Sequence, residues 1–148
     1  LSELLADSRL PIARGAEAAT VLEARVGGFD PSDALTTLVV GGETLLAPGR
    51  FGETGSTHRV RIAATDVSLA ADRPSLTTIL NIVPVRVNDI QAVGEAQINV
   101  VLTIGHRDSG PKLLARVTRR AQQILGFAPG QDVYAQIKAV SLIASSEL

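Results

Sequence analysis

The sequence predicts an all-β chain with one short helix, built as two small OB-type barrels in tandem. Three observations support this: short runs rich in β-branched and aliphatic residues, a strand programme that occurs twice, and a single helical insert in the second copy. Its 148 residues suffice for one domain or for two very small ones. Closing each small sheet into a barrel would protect the sheet edges.

The predicted strands of the two copies follow one another in the same order. In the first copy they cover 21–26, 35–40, 43–46, 58–63 and 67–70, and in the second 81–88, 97–104, 112–117 and 132–137, followed by a short segment at 140–142. The pair Gly41 and Gly42 between two runs predicts a two-residue hairpin turn.

Anchor segments of the two copies match one another. Residues 55–62 align with 130–137 as a glycine turn that leads into an alternating strand, and 67–69 align with 140–142. Residues 24–26 likewise align with 85–87. We therefore predict a first module over 21–70, a connector over 71–77 and a second module over 78–143, with a tail over 144–148. Residues 1–20 are predicted to be a linker from a missing N-terminal part, since the chain begins at Leu1 and contains no Met.

One helix is predicted, and only in the second copy. Thr118 can cap it, residues 119–125 have helical apolar spacing, and Gly126 can end it. The corresponding part of the first copy is too short for a helix.

Composition argues against several classes of function. Fourteen basic and fifteen acidic residues give a net charge of −1, and four aromatic side chains offer little for base stacking, so we expect no nucleic acid partner. The absence of Cys excludes a thiol nucleophile, and the presence of only two His argues against a His-built metal site. No catalytic constellation is found, so we expect no enzyme activity in this chain.

Three places could bind an anion, and each also has a purely structural interpretation. Thr118 joins a strand to a helix, but it could be a simple N-cap. Lys138 ends the strand at 132–137 where the first copy has Ala63, but it could be a solvated lysine. Thr78 and Asn81 open the first strand of the second copy, but they could be an ordinary strand start.

A glycine-rich segment at 52–57 superficially resembles a phosphate loop. It lacks the required lysine, and no helix pattern follows it. We therefore expect no nucleotide site in this chain.

Three segments of the second copy resemble a known family. They are Val-Thr-Arg-Arg at 117–120, Ile-Leu-Gly-Phe-Ala-Pro-Gly at 124–130 and Val-Tyr-Ala-Gln-Ile-Lys-Ala-Val at 133–140. They resemble the Mop-type (TOBE) molybdate-binding domains over 78–143, with a weaker second copy over 21–70. Residues 9–14 and 61–70 further resemble the C-terminal regulatory region found in ATP-binding subunits of bacterial molybdate ABC transporters.

The resemblance implies a tandem OB-fold (di-Mop) homodimer that binds molybdate or tungstate at subunit interfaces. Carried over residue by residue, Thr118 would donate its hydroxyl, Lys138 its charge and Ala139 its backbone N–H. Thr78 and Asn81 would form the opposite wall of the pocket, and Ser141 would add a further contact. Hydroxyls, N–H groups and one cation suit a tetrahedral dianion, which needs many donors.

One departure from the family pattern concerns the charge of the pocket. Many relatives have an arginine just before the asparagine of the first strand, whereas this chain has Leu80. The missing charge-assisted contact would cost on the order of 1.5 to 3 kcal/mol unless Arg86, Arg116 or Arg119 replaces it.

The resemblance also implies partners and a location. The chain would follow an ATP-binding domain of the same polypeptide, which in turn would contact the membrane subunit of a transporter. It would therefore lie in the cytoplasm, peripheral to the inner membrane, and report internal oxyanion to the importer. The alternatives are a structural dimerisation module that no longer binds oxyanion and a small molybdate-storage protein.

Overall fold

The computed structural model describes residues 18–143. Over that range the chain forms ten strands, one α-helix and a 3-10 turn at Ala64–Asp66. The strands are β1 Ala19–Asp30, β2 Leu35–Val40, β3 Glu43–Pro48, β4 Thr57–Ala63, β5 Val67–Ala70, β6 Ile82–Val93, β7 Gln97–Ile104, β8 Lys112–Thr118, β9 Asp132–Ile137 and β10 Ser141–Leu142, and helix α1 is Arg119–Leu125.

The predicted all-β class with one short helix is confirmed, and most element bounds agree to within two residues. The exceptions are β1 and β6, which run on to Asp30 and Val93. Each contains a register shift, between Val26 and Gly28 in β1 and between Val87 and Asp89 in β6. A bulge of this kind takes up an extra residue and lets a strand continue through a segment whose composition is typical of a turn.

The strand order shows that the two modules exchange their last strands. One sheet has the order β10-β4-β1-β2-β3 and the other the order β5-β9-β6-β7-β8. Strand β5 of the first module thus pairs with β9 of the second, and β10 of the second pairs with β4 of the first. The connector at 71–77 therefore separates the modules in sequence but does not separate the sheets.

The start of the fold lies inside the predicted linker. Strand β1 begins at Ala19, and Ala18, Ala19 and Thr20 are buried. Ala19 pairs with Ala63 of β4, so the end of the predicted 1–20 linker belongs to the sheet. The rest of that linker, over 1–17, and the predicted tail over 144–148 lie outside the described residues.

The hairpin and the helix end form as their glycines predict. Gly41 and Gly42 have φ of 57° and 83° between the paired Val40 and Glu43, so both occupy the left-handed region that a two-residue turn requires. Gly126 ends α1 with φ of 72°, and its N–H donates to the carbonyl of Gln122.

The internal repeat is visible in matching backbone hydrogen bonds beside the two bulges. The N–H of Val26 donates to the carbonyl of Ser56, and the N–H of Gly55 donates back to Val26. In the second module the N–H of Val87 donates to Gln131, and the N–H of Gly130 donates back to Val87. Both modules therefore use the bulge and the glycine turn in the same way.

The core does not divide at the connector. One hydrophobic cluster contains buried side chains of both modules, including Leu22, Leu38 and Val60 from the first and Val85 and Leu102 from the second. A smaller cluster joins Ala18 and Ala64 to Leu114 of β8. Because of the shared packing and the strand exchange, we expect residues 18–143 to unfold as one cooperative unit.

Candidate oxyanion site

Four of the six predicted oxyanion residues belong to two segments that meet at one end of the second sheet, and a fifth, Ser141, lies on β10 of the first sheet. Thr78 and Asn81 precede β6, while Lys138 and Ala139 follow β9. The carbonyl of Asn81 accepts a hydrogen bond from the N–H of Ile137 at 2.8 Å, which fixes the two segments beside each other. Ser141 lies on β10, three residues beyond Lys138.

Lys138 is exposed, and its backbone is fixed. Its N–H donates to the carbonyl of Asp66 at 2.8 Å, which attaches the end of β9 to the 3-10 turn. Within residues 18–143 its ammonium group makes no ion pair. An exposed cation without a carboxylate partner can bind an anion from solution, and Thr78, Ala139 and Ser141 are exposed as well.

Asn81 has a structural role that the sequence did not indicate. It is buried, its Oδ1 accepts a hydrogen bond from the N–H of Leu46 at 2.8 Å, and its Nδ2 donates to the carbonyl of Leu46 at 2.9 Å. Leu46 belongs to β3, which lies at the edge of the first sheet. The amide thus satisfies both backbone groups of an edge strand and links the two modules.

Thr20 makes the corresponding contact from the first module to the second. Its Oγ1 accepts a hydrogen bond at 2.9 Å from the N–H of Leu114, on β8 at the edge of the second sheet. Leu46 and Leu114 are matching residues of the two Leu-Leu-Ala strands. We call the Asn81–Leu46 and Thr20–Leu114 contacts the two clasps. The only available signal was the Leu-Leu-Ala repeat, which marks the acceptor strands but not the side chains that reach them.

Thr118 lies apart from the other five predicted residues. It pairs with Gln97, which pairs with Val93 at the far end of β6 from Asn81. Leu114, which packs against Ala64 near the 3-10 turn, is four residues earlier on β8, a separation of about 13 Å along a strand. The Oγ1 of Thr118 accepts a hydrogen bond from the N–H of Ala121 at 3.1 Å, so the residue caps α1. Its hydroxyl proton can still be donated.

The three arginines considered as replacements for the missing charge make other contacts. Leu80 itself is 67% exposed. The guanidinium of Arg86 lies 2.8 Å from Asp132 and 2.7 Å from Asp108, and its hydrogen bond holds the pKa of the Asp132 carboxyl below the usual range. Nε of the buried Arg116 donates to Asn99 at 2.9 Å, and Arg119 donates to the carbonyl of Gly94.

Residues 18–143 contain neither a metal-binding cluster nor a membrane-spanning helix. No group of three or more His, Cys, Asp or Glu side chains is placed to hold a metal ion. No helix of this part of the chain is long and apolar enough to span a membrane. The glycine-rich segment at 52–57 leads into strand β4 rather than into a helix.

The fold and the second module define the class of protein. Residues 77–144, which form the second module, match the TOBE domain family. The crystal structure of the cytoplasmic molybdate-binding protein ModG with molybdate bound superposes with a TM-score of 0.71, covering 84% of this chain and 93% of that chain at 24% identity. The predicted tandem OB-fold is thereby confirmed.

Relatives that match nearly the whole chain indicate which kind of protein with this domain it is similar to. The molybdenum import ATP-binding protein ModC of Rhodobacter capsulatus is 40% identical over 147 residues, which are 99% of this chain and 40% of that protein. The ModC protein of Rhodopseudomonas palustris (strain ATCC BAA-98 / CGA009) is 43% identical over 142 residues, which are 96% of this chain and 38% of that protein. The chain corresponds to the C-terminal region of these proteins, as its sequence predicted, and spans about two fifths of their length.

Proposed function

We propose that this chain is the regulatory domain of a molybdate importer's ATP-binding subunit, and that it binds molybdate or tungstate and forms a homodimer. The observation that carries the proposal is the exposed Lys138, whose ammonium group makes no ion pair within residues 18–143 and which directly follows Ile137, the residue hydrogen-bonded to Asn81. The similarity to ModC proteins supports the assignment to an importer.

The chemistry of the ligand fits these groups. A tetrahedral oxyanion with two negative charges has four oxygens, each of which accepts hydrogen bonds. Lys138 provides charge, Thr78 and Ser141 provide hydroxyl donors, and Ala139 provides a backbone N–H. Charge-assisted hydrogen bonds of this kind are stronger than hydrogen bonds between two neutral groups. Asn81 takes part by fixing the start of β6, because both polar groups of its amide already bind Leu46.

The position of Thr118 favours a site shared between two copies. Within one chain it caps α1, away from Lys138. In a homodimer, Thr118 of one copy would reach the ligand held by Lys138 of the other. Such an arrangement makes oxyanion binding and dimer stability mutually dependent.

The coupling between the oxyanion site and the ATP-binding domains would then regulate transport. The domain would follow the ATP-binding domain of the same polypeptide, on the cytoplasmic side of the inner membrane, where that domain contacts the membrane subunit. Oxyanion bound at the dimer interface would hold the two ATP-binding domains in a state that disfavours transport, with a coupling of about 1–3 kcal/mol. The chain itself would perform no catalysis and hold no nucleotide.

A second function is a structural dimerisation module without ligand binding. Two features favour it: Leu80 stands where the family resemblance leads us to expect an arginine, and the Asn81 amide is engaged inside the fold. A small molybdate-storage protein is a third possibility, and the similarity to the C-terminal region of much longer ATP-binding proteins speaks against it.

Isothermal titration of the purified chain with molybdate tests the proposal, with sulfate as a control and light scattering to follow the mass. We expect saturable binding by a dimer that Lys138→Ala abolishes. Arg120→Ala removes an exposed cation from α1 and serves as the matched control, which should bind like the wild type. A folded dimer that gives no heat with molybdate or tungstate would establish the structural module instead.

A further inference from the structure

A groove of about 280 Å³ lies between the end of α1, strand β5 and the start of β9. Its apolar lining includes the side chains of Leu69, Leu125, Phe127 and Val133. The carboxylate of Asp132 also lines it and is paired with Arg86 at 2.8 Å, so none of the described lining residues carries an unpaired charge. The volume is below the range of about 300–1,000 Å³ that is typical of small-molecule sites. The groove, which we call the α1 groove, is therefore suited to an apolar side chain.

Leu76 is the most exposed large apolar side chain among residues 18–143. Its relative exposure is 105%, so the side chain stands clear of the rest of its own chain. Its φ of 55° lies in the left-handed region, which is strained for a bulky side chain. Strained backbone conformations cluster at functional sites, so this residue is a candidate for a contact outside its own chain. Residues 74–81 contain no charged side chain, and burying them removes no ion from water.

Leu76 and the α1 groove lie close enough together in one chain for a two-fold dimer. Ala71 lines the groove, and Leu76 follows five residues later, so their Cα atoms are at most about 18 Å apart. In a two-fold interface a contact from one copy to the other is always accompanied by the reverse contact. Ile124 and Leu125 on α1 are exposed as well, and Leu125 lines the groove, so both add apolar surface for a second copy.

We infer that Leu76 of one copy inserts into the α1 groove of a second copy, and that two such contacts hold the homodimer together. The inference rests on the proposed function, which requires the homodimer. Thr78 is two residues beyond Leu76, and Thr118 lies at the opposite end of α1 from Leu125, about 10 Å along the helix axis. Insertion of Leu76 therefore brings the segment that carries Thr78 towards the helix of the other copy that Thr118 caps, as a shared oxyanion site requires.

Disulfide cross-linking tests which residues meet across the dimer. The chain contains no Cys, so each introduced cysteine reports one position. We expect a tagged Leu76→Cys chain, co-expressed with an untagged Leu125→Cys chain and mildly oxidised, to form a disulfide between the two chains. Leu142→Cys is the matched control, because Leu142 and Leu125 are similarly exposed, at 44% and 41%. Paired with Leu76→Cys, it should give less than a tenth of the cross-linked product.

Sedimentation equilibrium of the whole chain measures the energetic weight of the contact. Leu76→Ala keeps the backbone conformation and removes the inserted side chain. We expect it to weaken the dimer at least tenfold, because the interface contains the contact twice, whereas Leu142→Ala should stay within twofold. Circular dichroism and the thermal midpoint report folding. Should Leu76→Ala not fold, Leu76→Gly takes its place with the same expected loss, because glycine adopts a φ of 55° without strain.

The outcomes separate this inference from the proposed function. Absence of the Leu76–Leu125 cross-link, an equal yield with Leu142→Cys, or wild-type dimer affinity in a folded Leu76 variant overturns the inference, while molybdate binding by the wild-type dimer leaves the proposed function standing. A wild type that stays monomeric overturns both. A dimer with the specific cross-link and the expected loss of affinity that gives no heat with molybdate supports the inference and removes oxyanion binding from the proposed function.

Discussion

The two modules follow the same strand plan, yet only the second ends its fourth strand next to a cation. In the first module β4 ends at Ala63, which pairs with Ala19 inside the sheet. In the second module β9 ends at Ile137 and is followed by the exposed Lys138. The bulges and glycine turns that set the frame are the same in both. The duplication has preserved the backbone plan, while single positions outside the core decide which copy can carry a charged site.

The two clasps show the same principle in the framework itself. Thr20 and Asn81 hold matching leucines of β8 and β3, one with a hydroxyl and the other with an amide. The hydroxyl accepts one hydrogen bond, while the amide accepts one and donates one. The position before or at the start of the first strand therefore serves edge protection in both modules, although its residue type differs.

The largest expected effect comes from the shared core. Leu102 of β7 is fully buried in the cluster that contains side chains of both modules. We expect Leu102→Ala to lower the free energy of unfolding by about 2–5 kcal/mol. Because the core is continuous, urea should unfold both modules in one transition, with circular dichroism and Tyr134 fluorescence giving the same midpoint.

A surface variant controls for the core measurement. Leu80 is 67% exposed, and Leu80→Ala should change the free energy of unfolding by less than about 0.5 kcal/mol. If Leu102→Ala instead separated the Tyr134 signal from the circular dichroism signal, the modules would be independent folding units.

The clasps come next in expected effect. Thr20→Val keeps the side-chain volume but leaves the N–H of the buried Leu114 without its acceptor, and Asn81→Ala leaves both backbone groups of Leu46 without their partners. A buried polar group without a partner costs roughly 1–3 kcal/mol. We expect a loss of this size from each variant in urea unfolding, and additive losses in the double variant, because the clasps share no partner.

The clasp variants also separate structure from ligand binding. If Asn81→Ala left stability unchanged and abolished molybdate binding, the amide would be a ligand rather than a clasp. An unchanged free energy of unfolding for Thr20→Val would mean that water replaces the hydroxyl at Leu114.

Sequence patterns predicted local elements well and distant contacts poorly. Thr118, Gly126 and the Gly41–Gly42 turn act within a few residues, so the bounds of α1 and the hairpin could be read directly from the chain. The clasps link residues 35 and 94 positions apart, and no local signal reports such a contact. The exchange of β5 and β10 likewise cannot be predicted from the internal repeat. Two modules that exchange their last strands and two that do not would have the same sequence pattern. The candidate site was therefore predicted as a set of residue types, while the separation of Thr118 from the segments of Asn81 and Lys138 emerged only from the strand pairing.

The smallest expected effect concerns the Arg86–Asp132 charge pair, which has no counterpart at the equivalent position of the described first module. Arg86 lies opposite Asp132, whereas Arg25, its counterpart in β1, lies opposite Thr57. The hydrogen bond from Arg86 lowers the pKa of Asp132 from its ordinary value of 3.8, with a smaller contribution from His106. A carboxyl whose pKa is lower in the folded state adds stability above its unfolded pKa, and the contribution disappears as the pH falls through the folded value.

In an NMR titration of the Asp132 carboxyl we expect a midpoint below 3.8 that Arg86→Gln raises, while Arg25→Gln leaves it in place. Since both side chains are partly exposed, the accompanying loss of stability should be small and should shrink further with added salt. A midpoint that does not respond to Arg86→Gln would mean that the ion pair does not persist in solution, and this electrostatic difference between the two modules would then be absent.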